Sequence, residues 1–234
     1  MALVPHLPSG EADPLQDGPR GSMWANLDRQ CPSARLRTFE ARQTVYGQGT
    51  SCADVFIVVS GQVKLARVDG EGNEFTTGLF SAGDPFGPGL AGTDAREAQE
   101  TAVTNGPVSL WQVPVAAFHT LLLEHPALCL GIMELLARRQ RQTERRLVGL
   151  AFKRTEARLA ETLRELSGGF DLRCEHGFGQ HLRITQQELA DLVGASRPVV
   201  STILNRLRKA GVLGYSREYL CVRSIEAIEH LVGH

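Results

Sequence analysis

The side-chain types in one short run point to the reading of base edges. The run is Gln186-Gln187-Glu188-Leu189-Ala190-Asp191-Leu192-Val193-Gly194-Ala195-Ser196-Arg197-Pro198-Val199-Val200-Ser201-Thr202-Ile203-Leu204-Asn205. Arginine can donate to guanine O6 and N7 together, and hydroxyls and amides reach other base edges or phosphates. At helical spacing, Arg197, Ser201, Thr202, Asn205 and Arg206 fall on one face, with Gln187 on a preceding helix. Leu189, Val193, Val200 and Ile203 fall on the other and form a shared core. Ala190 is small enough for two helices to cross, and Gly194 supplies the tight turn. Ser196 is positioned to cap the second helix, and Pro198 sits in its first turn, where a missing N–H breaks no hydrogen bond. The expected chemistry is recognition of double-stranded DNA by a helix in the major groove.

A helical hairpin with a merely solvated polar face is the rival reading, and charge distribution argues against it. The 25 basic and 26 acidic residues nearly cancel over the chain, but not locally. Up to Glu124 there are 8 basic and 14 acidic residues, and from His125 onward 17 and 12. Between Asp191 and Glu218 every charged residue is positive: Arg197, Arg206, Arg208, Lys209 and Arg217. A basic half hidden in a neutral total is the electrostatic footprint of phosphate binding. Two short strands around Ser216-Arg217-Glu218 would form a wing, bringing Arg217 to a phosphate.

Positioning this run requires an upstream scaffold. Residues 1–24 carry repeated Pro and Gly with few large apolar groups and read as a disordered tail. Residues 25–124 read as a small β-sandwich or barrel. Val55-Phe56-Ile57-Val58-Val59 is a buried strand, Val63 to Val68 nearly alternates, and Asp69-Gly70-Glu71-Gly72-Asn73 is a turn. Phe75–Phe80, Glu100–Thr104 and Val108–Val113 supply further strands. Residues 125–152 read as one long helix whose Leu128, Ile132 and Leu135 are expected to form a homodimer seam. Residues 153–234 read as a winged-helix DNA-binding domain that opens on a helix carrying Leu159, Leu163 and Leu166. The fold class is therefore α+β.

Other chemistries find little purchase. The five cysteines are scattered without a C-x-x-C pair, so free thiols are expected rather than a disulfide framework or zinc site. No His cluster, catalytic triad or P-loop spacing occurs, so neither an enzyme, a metal nor a cofactor is expected. No uncharged apolar run approaches the length of a membrane span, and the N-terminus lacks a signal-peptide pattern, so a cytoplasmic protein is expected.

From about Arg37 to Leu231 the chain resembles the CRP/FNR superfamily of bacterial transcription regulators. The features that carry this are Asp54-Val55-Phe56-Ile57-Val58-Val59-Ser60-Gly61-Gln62-Val63, the turn Gly83-Asp84-Pro85-Phe86-Gly87, the long helix and the winged helix-turn-helix. The resemblance implies a cyclic-nucleotide-binding-like β-roll (a jelly roll), a dimerising helix and a two-fold symmetric site near promoters, with RNA polymerase as a partner.

It also implies where an effector would bind. Cyclic-nucleotide members carry Gly-Glu-Leu and then Arg-Ser/Thr-Ala. Here the corresponding elements read Gly87-Pro88-Gly89 and Glu100-Thr101-Ala102, so control by cAMP is not expected. The iron–sulfur members carry an N-terminal cysteine cluster that is missing. Locally the chain looks like the NtcA-like, 2-oxoglutarate-responsive members. Phe86 and Gly87 match their cassette turn, and Arg139 and Glu144 match the spacing of a ligand arginine and glutamate. An arginine fork in an apolar seam suits a carboxylate, yet an inter-subunit Arg139–Glu144 salt bridge explains the same pair. A redox-responsive sensor remains a further alternative.

Overall fold

A largely β-branched run without charge is poorly suited to water on either side, and Val55–Val58 becomes the buried middle of a central strand, with Val59 half-buried. The structure, a computed structural model, describes residues 22–24, 26–91, 97–167, 180–215 and 219–232. It divides into two compact units. One comprises the chain up to Lys64 together with Leu79–Gly131, and the other comprises Leu65–Gly78 together with Ile132 onward.

The first unit begins with a turn at Ser22–Trp24 and helix α1 (Leu27–Gln30). Eight strands follow in the chain, with Leu65–Gly78 of β4 and β5 belonging to the second unit: β1 (Arg35–Phe39), β2 (Thr44–Tyr46), β3 (Asp54–Ser60), β4 (Gln62–Val68), β5 (Glu74–Ser81), β6 (Pro85–Phe86), β7 (Thr101–Thr104) and β8 (Val108–Pro114). They form two four-stranded sheets, ordered β1-β8-β3-β6 and β2-β7-β4-β5. The expected strands are present, and the Asp69–Asn73 turn is closed by the Asp69 carboxylate accepting from the Glu71 and Asn73 amides at 2.9 Å.

Two boundaries differ from expectation. A disordered tail is expected to reach residue 24, but Trp24 is buried and its indole N–H donates to Gly83 O at 2.9 Å. Residues 1–21 lie outside the described ones. A second helix, α2 (Val115–Glu124), precedes the long one and buries Phe118 and Leu121. Its few polar positions give no clear helical period in the sequence.

The long helix α3 (Pro126–Phe152) forms as expected. Its faces, however, are assigned differently. Leu128, Ile132 and Leu135, expected at a dimer seam, are only 5–8% exposed within the single chain. Leu130, Met133 and Leu147 are 60–62% exposed instead. These belong to a 3,4-spaced row, Leu130-Met133-Ala137-Gln140-Glu144-Leu147-Ala151, which is exposed except for half-buried Ala137. That is the spacing of a coiled-coil seam. The sequence pattern shows two apolar stripes on one helix, and it cannot say which of them the chain covers itself.

The second unit continues with α4 (Thr155–Ser167), β9 (Gln180–Arg183), α5 (Gln186–Val193), α6 (Arg197–Lys209), β10 (Leu213–Tyr215), β11 (Tyr219–Val222) and α7 (Ile225–Val232). Leu159 and Leu163 of α4 are buried with Leu189, Val200, Leu207 and Ile228. Each contributes about 1.5–3 kcal/mol over an exposed side chain. Strands β10, β11 and β9 form one antiparallel sheet, with Leu213 opposite Val222 and Tyr219 opposite Arg183. Cys31, Cys52 and Cys129 are free thiols as expected, whereas Cys221 on β11 is disulfide-bonded. Wide sequence separation does not prevent two cysteines from meeting in the fold.

Candidate nucleic-acid interface

The helix pair is fixed first by backbone capping. Thr185 precedes α5, and its hydroxyl accepts the Glu188 amide at 3.2 Å while the Glu188 carboxylate accepts the Thr185 amide at 2.8 Å. This reciprocal cap is legible as Thr-x-x-Glu, a signal that the base-reading pattern alone does not include. Gly194 ends α5 at φ 68°, which favours glycine, and an added Cβ would lie 2.5 Å from Leu150 Cδ2, so that half-exposed side chain would have to shift. Ser196 occupies the N-cap of α6 but makes no capping bond with its side chain, contrary to expectation. Its hydroxyl is left on the surface with the rest of the exposed first turn.

The two helices bury Leu189, Ala190, Val193, Val200 and Ile203 against each other and their neighbours, as the pattern requires. What remains outside is the predicted polar face. Arg197, Thr202 and Asn205 are exposed and Ser201 is half-buried. At about 100° per residue, Arg197, Ser201 and Asn205 span an arc of roughly 80°. Thr202 turns its hydroxyl back to Pro198 O at 3.0 Å, which leaves its methyl group for outward contact.

Two predicted residues carry partners the sequence did not reveal. The Arg206 guanidinium pairs with Glu156 of α4 at 2.9 Å while remaining half-exposed. The Gln187 amide donates to Asp191 Oδ1 at 2.8 Å, and Asp191 Oδ2 accepts the backbone N–H of Thr76 at 2.9 Å. Arg217 lies outside the described residues, although β10 and β11, which lead to and from it, pair as a wing requires.

One further residue organises this interface without facing outward. Arg158 of α4 donates Nε to Val193 O at 2.9 Å, Nη2 to Gly194 O at 3.1 Å and Nη1 to Lys153 O at 2.8 Å. It therefore satisfies carbonyls at the end of α5 and just beyond the end of α3 with a single guanidinium. Nothing in the spacing of Arg158 distinguishes it from a solvated helix arginine.

A cyclic nucleotide-binding domain model matches residues 36–125, and a Crp-like helix-turn-helix domain model matches residues 157–231. The chain belongs to the CRP/FNR superfamily of transcription regulators. A global nitrogen regulator from Synechocystis sp. is 28% identical over 214 residues, spanning 91% of this chain and 95% of that protein. The cAMP-activated global transcriptional regulator Vfr of Pseudomonas aeruginosa is also 28% identical, over 191 residues, 80% of this chain and 89% of its own. Among solved structures, a CRP/FNR-family transcriptional regulator from Thermus thermophilus superposes with a TM-score of 0.65 at 26% identity, covering 86% of this chain and 99% of that one. These matches are regulators and not enzymes, and this CRP/FNR chain is a DNA-binding regulator of the same type.

Within the first unit of this CRP/FNR chain, the cassette residues are held by packing. Phe86 is buried, stacked on Tyr46 and Phe56 and tilted against Phe80. Gly87 has φ 110°, and a Cβ there would lie 2.8 Å from Asp54 O, so the turn is pressed onto β3. The Glu100 carboxylate accepts the Tyr46 hydroxyl at 3.2 Å. Burial, and then the Glu100 charge, push that hydroxyl far above the ordinary tyrosine range. Ala98 is buried with both backbone groups bonded to the Gly49–Thr50 turn, so Arg96-Glu97-Ala98 offers a second register for the Arg-Ser/Thr-Ala pattern. Arg96 itself is outside the described residues. The mismatch at Pro88 is independent of that register.

In the second unit, Arg139 and Glu144 stand roughly 140° apart around α3. Glu144 is exposed in the outward row and accepts Gln140 Nε2 at 3.0 Å, while half-buried Arg139 lies four residues beyond buried Leu135. The helix does not bring them to one face. Among the described residues no cluster of His, Cys, Asp or Glu could hold a metal ion, and no single helix is long and apolar enough to cross a membrane.

Proposed function

We propose that the chain binds a two-fold symmetric promoter site as a homodimer in the cytoplasm, with α6 of each protomer in the major groove. The observation that carries this is the arc of exposed Arg197 and Asn205 with half-buried Ser201, on a helix that buries Val200, Ile203, Leu204 and Leu207 on another side. Arg197 reads guanine, Asn205 and the Thr202 methyl meet adjacent bases, and Ser196, Ser201, Gln187 and Arg217 contact phosphates or neighbouring edges. The outward row of α3 supplies the dimer seam, replacing the row first expected. RNA polymerase is the partner such a promoter-bound dimer would engage.

The effector reading is that cAMP is not used, because Pro88 cannot accept the ribose hydroxyl bonds that glutamate accepts in cyclic-nucleotide members. A small dicarboxylate of the 2-oxoglutarate kind, met by the Arg139 guanidinium, is the second reading. Selection of bound sequences from random DNA tests the main proposal: a palindromic consensus supports it, and uniform binding to all sequences overturns it. Calorimetry with cAMP and with 2-oxoglutarate separates the effector readings, and saturable cAMP binding overturns the first.

A further inference from the structure

The middle of the exposed face of α6 is apolar. At about 100° per residue, buried Val200, Ile203, Leu204 and Leu207 cluster on one side of the helix. Pro198 lies opposite them, with Thr202 about 40° further round and Asn205 and Arg197 on its other flank. All four are exposed. Pro198 and Thr202 are four residues apart and therefore neighbours on the helix surface. The proline ring carries neither donor nor acceptor. The Thr202 hydroxyl is committed to Pro198 O at 3.0 Å, so what Thr202 adds to the ring is its methyl group. Val199, 45% exposed, lies one turn before Thr202 and extends the apolar strip.

The surroundings of this strip say what covers it. The charged residues of α6 are Arg197, Arg206, Arg208 and Lys209, all positive, which suits a polyanion. In the major groove, adenine, guanine and cytosine are distinguished by donors and acceptors, whereas thymine also exposes its C5 methyl group. Setting the strip against a polar base edge removes water and returns no hydrogen bond, which costs free energy. Set against thymine, the same strip covers carbon, which is favourable. Pro198 and Thr202 are about 6 Å apart along the helix axis, against about 3.4 Å between successive bases of one strand. The strip is long enough for one thymine or two.

We infer that Pro198 and Thr202 are specificity-determining residues that select thymine in each half-site by covering its C5 methyl group. The inference rests on α6 reading DNA, and it adds which base these two residues read and which group of that base.

The test uses the full-length chain and the site it selects from random DNA. Each thymine of that site is replaced in turn by deoxyuridine, which pairs identically and lacks only the methyl group. Loss of a read methyl should weaken binding about fourfold per half-site. Thymines elsewhere in the site supply the baseline. Thr202→Ser keeps the hydroxyl for Pro198 O and removes the methyl, and Pro198→Ala trims the ring. Both positions are exposed, so neither change opens a cavity. In one or both variants the thymine and deoxyuridine sites should bind alike. The inference is overturned if no thymine is methyl-sensitive, or if the sensitivity persists undiminished in both variants. Uniform binding to every sequence would overturn the DNA-reading proposal as well, so the two failures are told apart.

Discussion

Leu150, in the last turn of α3, fills the space where Gly194 would carry a Cβ, with Leu150 Cδ2 only 2.5 Å from that position. The long helix thus touches the turn between α5 and α6 through a half-exposed side chain that any larger residue at 194 would displace. Gly194→Ala should cost roughly 1–2 kcal/mol from the left-handed backbone alone. Displacing Leu150 adds to that. In a Leu150→Ala background the same change should cost less by at least about 0.5 kcal/mol. Urea denaturation of the four proteins measures the coupling, and strictly additive costs would show that the contact carries none.

The outward row of α3 predicts where the dimer can be broken. Met133→Glu with Leu147→Glu places like charges opposite each other across the seam and should give folded monomers in sedimentation velocity. Ile132→Glu should instead unfold the chain, because it buries a charge within the protomer. Dimers persisting in the Met133, Leu147 double variant would place the seam elsewhere.

These residues also show what the sequence could and could not disclose. Period and turn chemistry located β3, β4, β5, α3 and both helices of the turn motif, because each depends on local residue types. The Arg197 face was legible because helical spacing alone decides which side chains share it. The choice between the two stripes of α3 was not legible, since it depends on what packs against Leu128 and Ile132 from elsewhere in the chain. The Arg206–Glu156 pair and the Thr76–Asp191 bond were hidden for the same reason. Helix α2 lacked a period because its apolar residues are nearly continuous.

Arg158 should prove to be a positioning residue for the interface. Its three carbonyl partners belong to Lys153, Val193 and Gly194, so one side chain ties α4 to the ends of two other helices. Arg158→Met should cost about 1–3 kcal/mol in urea denaturation. Arg158→Lys should recover only part of it, because an ammonium cannot reach the carbonyls as a planar fork does. Full recovery by lysine would show that charge alone matters there.

The sharpest expectation concerns two arginines on one helix that should behave differently on DNA. Arg197, exposed at the first turn of α6, has the reach for a bidentate contact with guanine. Arg197→Ala should cost roughly 1–3 kcal/mol per half-site and relax preference at one base pair. Half-sites should lie about one helical turn apart, roughly 34 Å. Arg206 is held by Glu156 at 2.9 Å and lies about half a turn round the helix from Arg197, still half-exposed. Glu156→Gln releases it, so binding should strengthen for all sequences alike and the salt dependence should steepen by about one phosphate contact per protomer. Binding to matched and single-mismatch sites at two salt concentrations measures both residues. If Arg197→Ala weakens every sequence equally, Arg197 holds phosphate; if Glu156→Gln alters preference at one base, Arg206 is a reader in its own right.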